Sequence, residues 1–149
     1  MKSRISVFAL AVGMALPSAI MASEPDTTAP SDGTVYAGIS PDTNKPIYTT
    51  PKDAPGIYSL EQAGSYCADL RAGDHDDWRM PTKGELNVLY NNRAAIAGFD
   101  ESGSDPGGWY WSSSPIQPPY IGAWDQRFSD GRQSRAIDYA GNALRCVRD

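Results

Sequence analysis

The chain has 149 residues, and its 13 Lys and Arg stand against 18 Asp and Glu, giving a formal net charge of −5. This length fits one domain with its own hydrophobic core. The acidic balance argues against nucleic acid as a partner, because phosphate binding requires a basic protein surface.

The first residues have the composition of an export signal. Lys2 and Arg4 form a basic start, residues 5–16 are apolar, and a small-residue cleavage site ends at Ala22. The apolar run is shorter than the roughly 20 residues that a membrane span needs, although an uncleaved anchor is the alternative. We therefore predict a Sec-type signal peptide over residues 1–22, a secreted or periplasmic location, and no transmembrane segment after cleavage.

Cleavage would leave 127 residues with a net charge of about −7. Residues 23–32 are rich in Pro, Asp, Thr and Ser, a composition typical of a flexible leader. The remaining residues, 33–149, are predicted to form one domain.

The exported part contains two cysteines, Cys67 and Cys146. An even pair in an exported chain indicates a disulfide. The alternatives are two separate thiols or a metal pair, and the single histidine, His75, gives little support for a metal.

Two amphipathic helices are indicated in the middle of the chain. Ser59 and Gln62 form a capping box ahead of an apolar stripe that includes Cys67, with Gly73 as the predicted end. Thr82 and Glu85 form a second capping box, with Gly98 as the predicted end.

Short strands flank these helices. Residues 35–39 and 47–50 predict a hairpin with a long tip, and residues 109–114, 123–128, 133–137 and 143–147 predict later strands. Asp130-Gly131 is a hairpin turn signal, and the last strand is expected to close the sheet. The fold class predicted is α+β, with two helices, a small antiparallel sheet and a disulfide joining the first helix to the last strand.

Several blocks, in this order, carry a family resemblance. They are residues 63–70, 77–86, 110–113, Ala123-Trp124, Phe128 with Asp130-Gly131, and 145–148. Together they resemble the C-terminal domain of the Legionella collagen-like adhesin, which occurs in many exported bacterial proteins. The resemblance covers roughly residues 33–149 and implies a C-type-lectin-like fold, of the branch related to formylglycine-generating enzymes.

The resemblance also implies a function. The founding adhesin binds sulfated polysaccharides on host surfaces. The calcium-binding signatures of sugar-binding C-type lectins are absent here. The triplet Trp124-Asp125-Gln126 is only loosely similar to one of them. The reactive cysteine pair of formylglycine-generating enzymes is also not supported, because both cysteines lie on predicted structural elements.

An aromatic run supplies the first candidate ligand contacts. Trp109, Tyr110 and Trp111 could form a platform for pyranose rings. In a strand at least one of the three must face the core, so we expect Trp111 inside and Trp109 or Tyr110 partly exposed.

Arginines supply the second set of candidate contacts. Five of them fall late in the chain: Arg127, Arg132, Arg135, Arg145 and Arg148. On one face they would form a cationic stripe suited to sulfate or carboxylate. Pairing with neighbouring aspartates is the alternative.

Two further groups have structural explanations. Trp78 and Arg79 are predicted as a core tryptophan and an ion-paired neighbour rather than ligand contacts. The loop Asp74–Asp77 could contribute oxygens to calcium but lacks EF-hand spacing, so no metal site is predicted and a solvated turn is favoured.

The predicted function is a non-catalytic exported binding module without a cofactor, acting on a polysaccharide such as a glycosaminoglycan or on an envelope or surface protein. Its predicted ligand contacts are Trp109, Tyr110, Arg127, Arg132 and Arg135. The first alternative is a structural component of a surface appendage or secretion apparatus. A weaker one is a carbohydrate-active enzyme, since no residue pattern selects a catalytic group.

Overall fold

The structure, a computed structural model, describes residues 30–149 of the chain. The predicted signal peptide, residues 1–22, and most of the predicted leader lie outside this range. Within it, no helix has the length and apolar character that crossing a membrane would require.

The first sheet combines an early hairpin with a late strand. β1 (Val35–Ile39) pairs antiparallel with β2 (Pro46–Thr49), as the hairpin prediction required. β6 (Val147–Arg148) pairs antiparallel with the other side of β2. The expectation that residues 143–147 form a strand closing the sheet of the preceding strands is therefore wrong, although Ala143 makes an isolated parallel bridge to Tyr110. Backbone hydrogen bonds between Val147 and Arg79 hold β6 beside β2 instead.

The second sheet is a three-stranded antiparallel meander. β3 (Trp109–Pro115) pairs with β4 (Gly122–Arg127), and β4 pairs with β5 (Gln133–Ile137). The predicted turn joins β4 to β5, and Gly131 has a φ of +80°, a conformation that glycine adopts without a Cβ clash.

Local capping determines where the helices begin. α1 (Leu60–Asp69) follows Ser59, and α2 (Lys83–Asn91) follows Thr82, with both predicted capping boxes formed. α1 ends at Asp69 rather than at Gly73, which lies in a short 3₁₀ turn.

The predicted second helix is divided. After α2 the chain continues as α3 (Arg93–Ile96), with Asn92 between them. The α+β class is thus confirmed, but the described residues form three α-helices and two small sheets rather than two helices and one sheet.

β3 lies between two apolar clusters. Tyr110 packs with Ile47, Leu86, Leu89 and Phe128, whereas its neighbour Trp111 packs with Ala63, Trp78, Leu144 and both cysteines. Successive side chains of a strand point to opposite faces, and here both faces are covered.

The predicted disulfide is present. Cys67 of α1 is bonded to Cys146, the residue before β6, across a separation of 79 positions. The bond joins α1 to the first sheet inside the second apolar cluster. A structural disulfide is typical of a protein that functions in an oxidising compartment.

Candidate functional site

A concavity of about 640 Å³ opens on the second sheet. Its walls come from the loop before β3, from the first residue of β3, from β4 and β5, and from the segment after β5. The polar and aromatic residues that line it are Asp105, Trp109, Asp125, Ser134, Arg135 and Asn142. This concavity is the candidate functional site.

Strand register places the floor and one wall of the concavity. Asp125 of β4 is directly opposite Ser134 of β5, and Trp124 is opposite Arg135. Asn142 is fixed separately, because its backbone N–H and C=O both bond to the backbone of Tyr58. Asn142 is thereby held beside β4 although a strand and a turn separate it from Asp125 in sequence.

Asp125 is the buried charged group at the floor, with 6% of its surface exposed. Its Oδ2 accepts a hydrogen bond of 3.0 Å from Nδ2 of Asn142. Its Oδ1 has no hydrogen-bond partner among residues 30–149. Burial raises the pKa of the Asp125 carboxyl, the hydrogen bond from Asn142 opposes that rise, and the charge of Asp105 adds to it.

Trp109 forms an aromatic part of the wall. It is half-buried, and the guanidinium carbon of Arg127 lies 5.2 Å from the centroid of its ring. Arg127 is itself held by Asp130, with Nε to Oδ1 at 3.0 Å. Trp109 is therefore partly exposed and Trp111 is buried, as expected, whereas Arg127 is paired with a neighbouring aspartate, which was the alternative to the cationic stripe.

Arg135 and Arg132 are both exposed on the β5 side. Neither forms an ion pair within the part of the chain that the structure describes. Arg135 lines the concavity, and its guanidinium carbon is 5.9 Å from the ring centroid of Trp124. Arg132 does not line it, so the two predicted contacts differ in position.

The five-arginine stripe is not formed. Arg145 is wholly buried, with Nη2 2.7 Å from a carboxylate oxygen of Asp53. Arg148 belongs to the first sheet and pairs with Asp77 at 2.9 Å. Two of the five arginines are therefore absent from the exposed face of the second sheet, because Arg145 is buried and Arg148 lies in β6 of the first sheet.

Tyr110 is wholly buried. Its hydroxyl donates to Asp53 at 2.6 Å and accepts from the backbone N–H of Asp100 at 2.7 Å. The prediction of Tyr110 as a ligand contact is thus wrong on position, since an apolar layer covers each face of β3.

Trp78 and Arg79 lie as expected. Trp78 is buried and donates from its indole nitrogen to the backbone of Ala72. Arg79 pairs with Glu85 and with Asp149, both at 2.6 Å. These contacts confirm a core tryptophan and an ion-paired arginine.

The acidic loop Asp74–Asp77 is tied to other parts of the protein. Asp77 pairs with Arg148, and Nε2 of His75 lies 2.6 Å from Asp32. Across residues 30–149, no three or more His, Cys, Asp or Glu side chains converge in a way that could hold a metal ion.

Several residues at the site were missed from the sequence. In the sequence, Asp125 stood out only as part of the triplet Trp124-Asp125-Gln126, and no local signal connected it with Asn142. An exposed apolar rim was also missed, formed by Tyr120, Ile121, Ile137 and Tyr139. Asp138 donates its N–H to the carbonyl of Ile121, which brings both parts of this rim together at one end of β4 and β5.

The class of protein is defined by an α+β domain with one disulfide and a shallow polar concavity on a small sheet. The family model of the Lcl C-terminal domain matches residues 36–148, and the chain belongs to this family. No curated protein matches the chain. Family membership indicates an adhesin-like module, which fits an extracellular or envelope location and a surface partner.

Proposed function

We propose that this domain is a non-catalytic binding module, exported by its signal peptide, that holds a polysaccharide in the concavity on the second sheet. The observation that carries the proposal is the meeting of Trp109 and Arg135 in one concavity, since the sequence had singled out both as ligand contacts. Binding sites for small ligands and sugar units are typically concave, with aromatic faces and a few polar groups that fix orientation.

The chemistry of the lining fits saccharide recognition. The Trp109 ring offers an apolar face to the C–H face of a pyranose ring. Ser134, Asn142 and Arg135 offer hydrogen-bond donors, and the carboxylates of Asp105 and Asp125 are acceptors. A mixture of donors and acceptors beside an aromatic ring suits a ligand with many hydroxyls.

A glycan array tests this proposal. Wild type should bind one group of saccharides, and Trp109→Ala and Arg135→Ala should each weaken that binding by about tenfold, equivalent to ~1.4 kcal/mol. Tyr48→Ala and Arg71→Ala are matched controls, because Tyr48 is half-buried like Trp109, Arg71 is exposed like Arg135, and neither lines the concavity. Absence of any saccharide signal for the folded wild type would refute the proposal.

The non-catalytic part is tested with the same saccharides. We expect no new reducing ends after prolonged incubation with the protein. Turnover that is lost in Asp105→Asn or Asp125→Asn would instead make the two carboxylates of the concavity a hydrolytic pair.

The exposed apolar rim favours a second candidate, an assembly component of a surface structure. Tyr120 and Tyr139 are 69% and 79% exposed, and contiguous exposed apolar groups are typical of protein interfaces. An assembly component should co-purify with an envelope complex and lose that association in Tyr139→Ser, with no signal on the array.

A further inference from the structure

The carboxylate of Asp125 is under-bonded for a buried charged group. An ionised carboxylate has about four acceptor positions, yet Asp125 receives one side-chain hydrogen bond, from Asn142, and its Oδ1 has no partner in residues 30–149. Leaving a buried polar group unsatisfied costs about 1–3 kcal/mol. Such groups are few in folded proteins, and each calls for an explanation.

The position of Asp125 supplies an explanation that involves a ligand. It is more than nine-tenths buried and at the same time lines the concavity. A donor group that enters the concavity as far as its floor would reach the Asp125 carboxylate, whose Oδ1 is unpartnered among the described residues but has less than 1 Å² of exposed surface, so the hydrogen bond requires a small rotation of this side chain on binding. A hydroxyl is such a donor.

The charges around the concavity select against a charged ligand. Two aspartates and one arginine line it, and none of the three forms an ion pair with a described residue. A sulfate or carboxylate that approached Arg135 would also approach Asp125 and Asp105, and the like charges of these two carboxylates would oppose its binding. An ammonium group would meet Arg135 at the exposed side.

A neutral sugar avoids both repulsions. Each hydroxyl both donates and accepts hydrogen bonds, so one hydroxyl can donate to Asp125 while a neighbouring hydroxyl accepts from Arg135. The Trp109 ring provides the apolar surface against which the sugar ring lies.

We infer that Asp125 contacts the ligand directly and accepts a hydrogen bond from a hydroxyl of an uncharged saccharide, so that the concavity selects neutral over sulfated glycans. This inference rests on the proposed function, because it names the class of saccharide held at the same site. It differs from the cationic stripe considered for sulfated ligands, which the fold divides between two sheets.

The test compares matched glycans. An array should present the same saccharide backbones with and without sulfate, and should be probed with the wild-type protein, Asp125→Asn and Asp76→Asn. Asp76 is exposed and outside the concavity, so Asp76→Asn removes the same charge without touching the site. Unfolding curves establish that each variant is folded, and Asp125→Ala serves as a second variant.

We expect the neutral member of each matched pair to bind at least tenfold more tightly than the sulfated member. Asp125→Asn and Asp125→Ala should weaken neutral-glycan binding by tenfold or more, with Asp76→Asn unchanged.

Preferential binding of sulfated members, or full affinity in both Asp125 variants, would overturn the inference and leave the proposed function standing. Binding to no saccharide would overturn both.

Discussion

Glu85 and Asp125 are both buried acids, and their surroundings differ completely. Glu85, 1% exposed at the start of α2, accepts hydrogen bonds from Arg79, from Ser40 and from the backbone of Thr82. Asp125, 6% exposed, accepts one from a side chain. The region around α2 thus neutralises its buried charge internally, whereas the floor of the concavity does not.

The pKa values follow this difference. Burial favours a higher pKa for Glu85, but the hydrogen bonds from Arg79, Thr82 and Ser40 outweigh it and hold the pKa below its usual value. At Asp125 burial prevails and the pKa is raised. The buried carboxylate of Glu85 is ion-paired with Arg79, whereas that of Asp125 has no cationic partner among residues 30–149.

The largest effect is expected from removing the disulfide that joins α1 to the segment before β6. Cys67→Ala with Cys146→Ala opens a loop of 79 positions, for which the chain-entropy model gives about 4–5 kcal/mol of lost unfolding free energy. Urea unfolding of the variant against the oxidised wild type measures this loss. Equal midpoints before and after reduction of the wild type would contradict it.

Arg145→Met tests a second buried charge that is paired within the protein, as Glu85 is. Arg145 is wholly buried, pairs with Asp53 and donates to the carbonyl of Thr50 at 2.7 Å. Its removal leaves Asp53 without its cation, and breaking a buried pair costs about 3–5 kcal/mol. Arg132→Met, at an exposed position, is the control and should leave the urea midpoint unchanged.

Glu85→Gln should destabilise by about 1–3 kcal/mol, because Arg79 loses a charged acceptor and the capping box loses its carboxylate. The control is Glu61→Gln, an exposed acid in the first turn of α1. Since the pKa of folded Glu85 is lowered, the difference from wild type should be complete above the usual carboxyl pKa and shrink as the pH falls through the folded value. A difference that persists in strong acid would rule out the ion pair as its origin.

Asp125→Asn should have the smallest effect, and its sign should be opposite. We expect the unfolding free energy to rise by about 1 kcal/mol at neutral pH. A raised pKa means that the folded state holds the proton more tightly than the unfolded chain, so wild type loses stability as the pH rises through the folded value. The amide of the variant does not ionise and so avoids this loss. The unfolding free energies of the two proteins should therefore become equal in acid. Destabilisation at neutral pH would show that Asp125 serves the fold like Glu85.

The parts of the fold that were predicted correctly depend on neighbouring residues. The capping boxes at Ser59 and Thr82 and the turn at Gly131 involve groups within three or four positions of one another. The disulfide was inferred from chemistry and compartment rather than from distance along the chain, and it is also present.

The errors concern contacts between distant segments. Strand alternation placed Tyr110 and Trp111 on opposite faces, but it could not reveal that a second apolar layer covers Tyr110. The pairing of β6 with β2 and of Asn142 with Asp125 depends on how the sheets meet. Two of the six polar and aromatic residues that line the concavity, Trp109 and Arg135, were also singled out from residue chemistry, while its buried floor required the fold.

The segment 142–148 also determines when the domain can mature. Ala143 bonds to β3, Cys146 to α1, and Val147 to both Arg79 and β2, so this one stretch is shared by both apolar clusters. It is the last of the described elements to leave the ribosome. Until it emerges, the nascent polypeptide lacks the segment that joins its two apolar clusters, so the core cannot be completed before residues 142–148 have been synthesised.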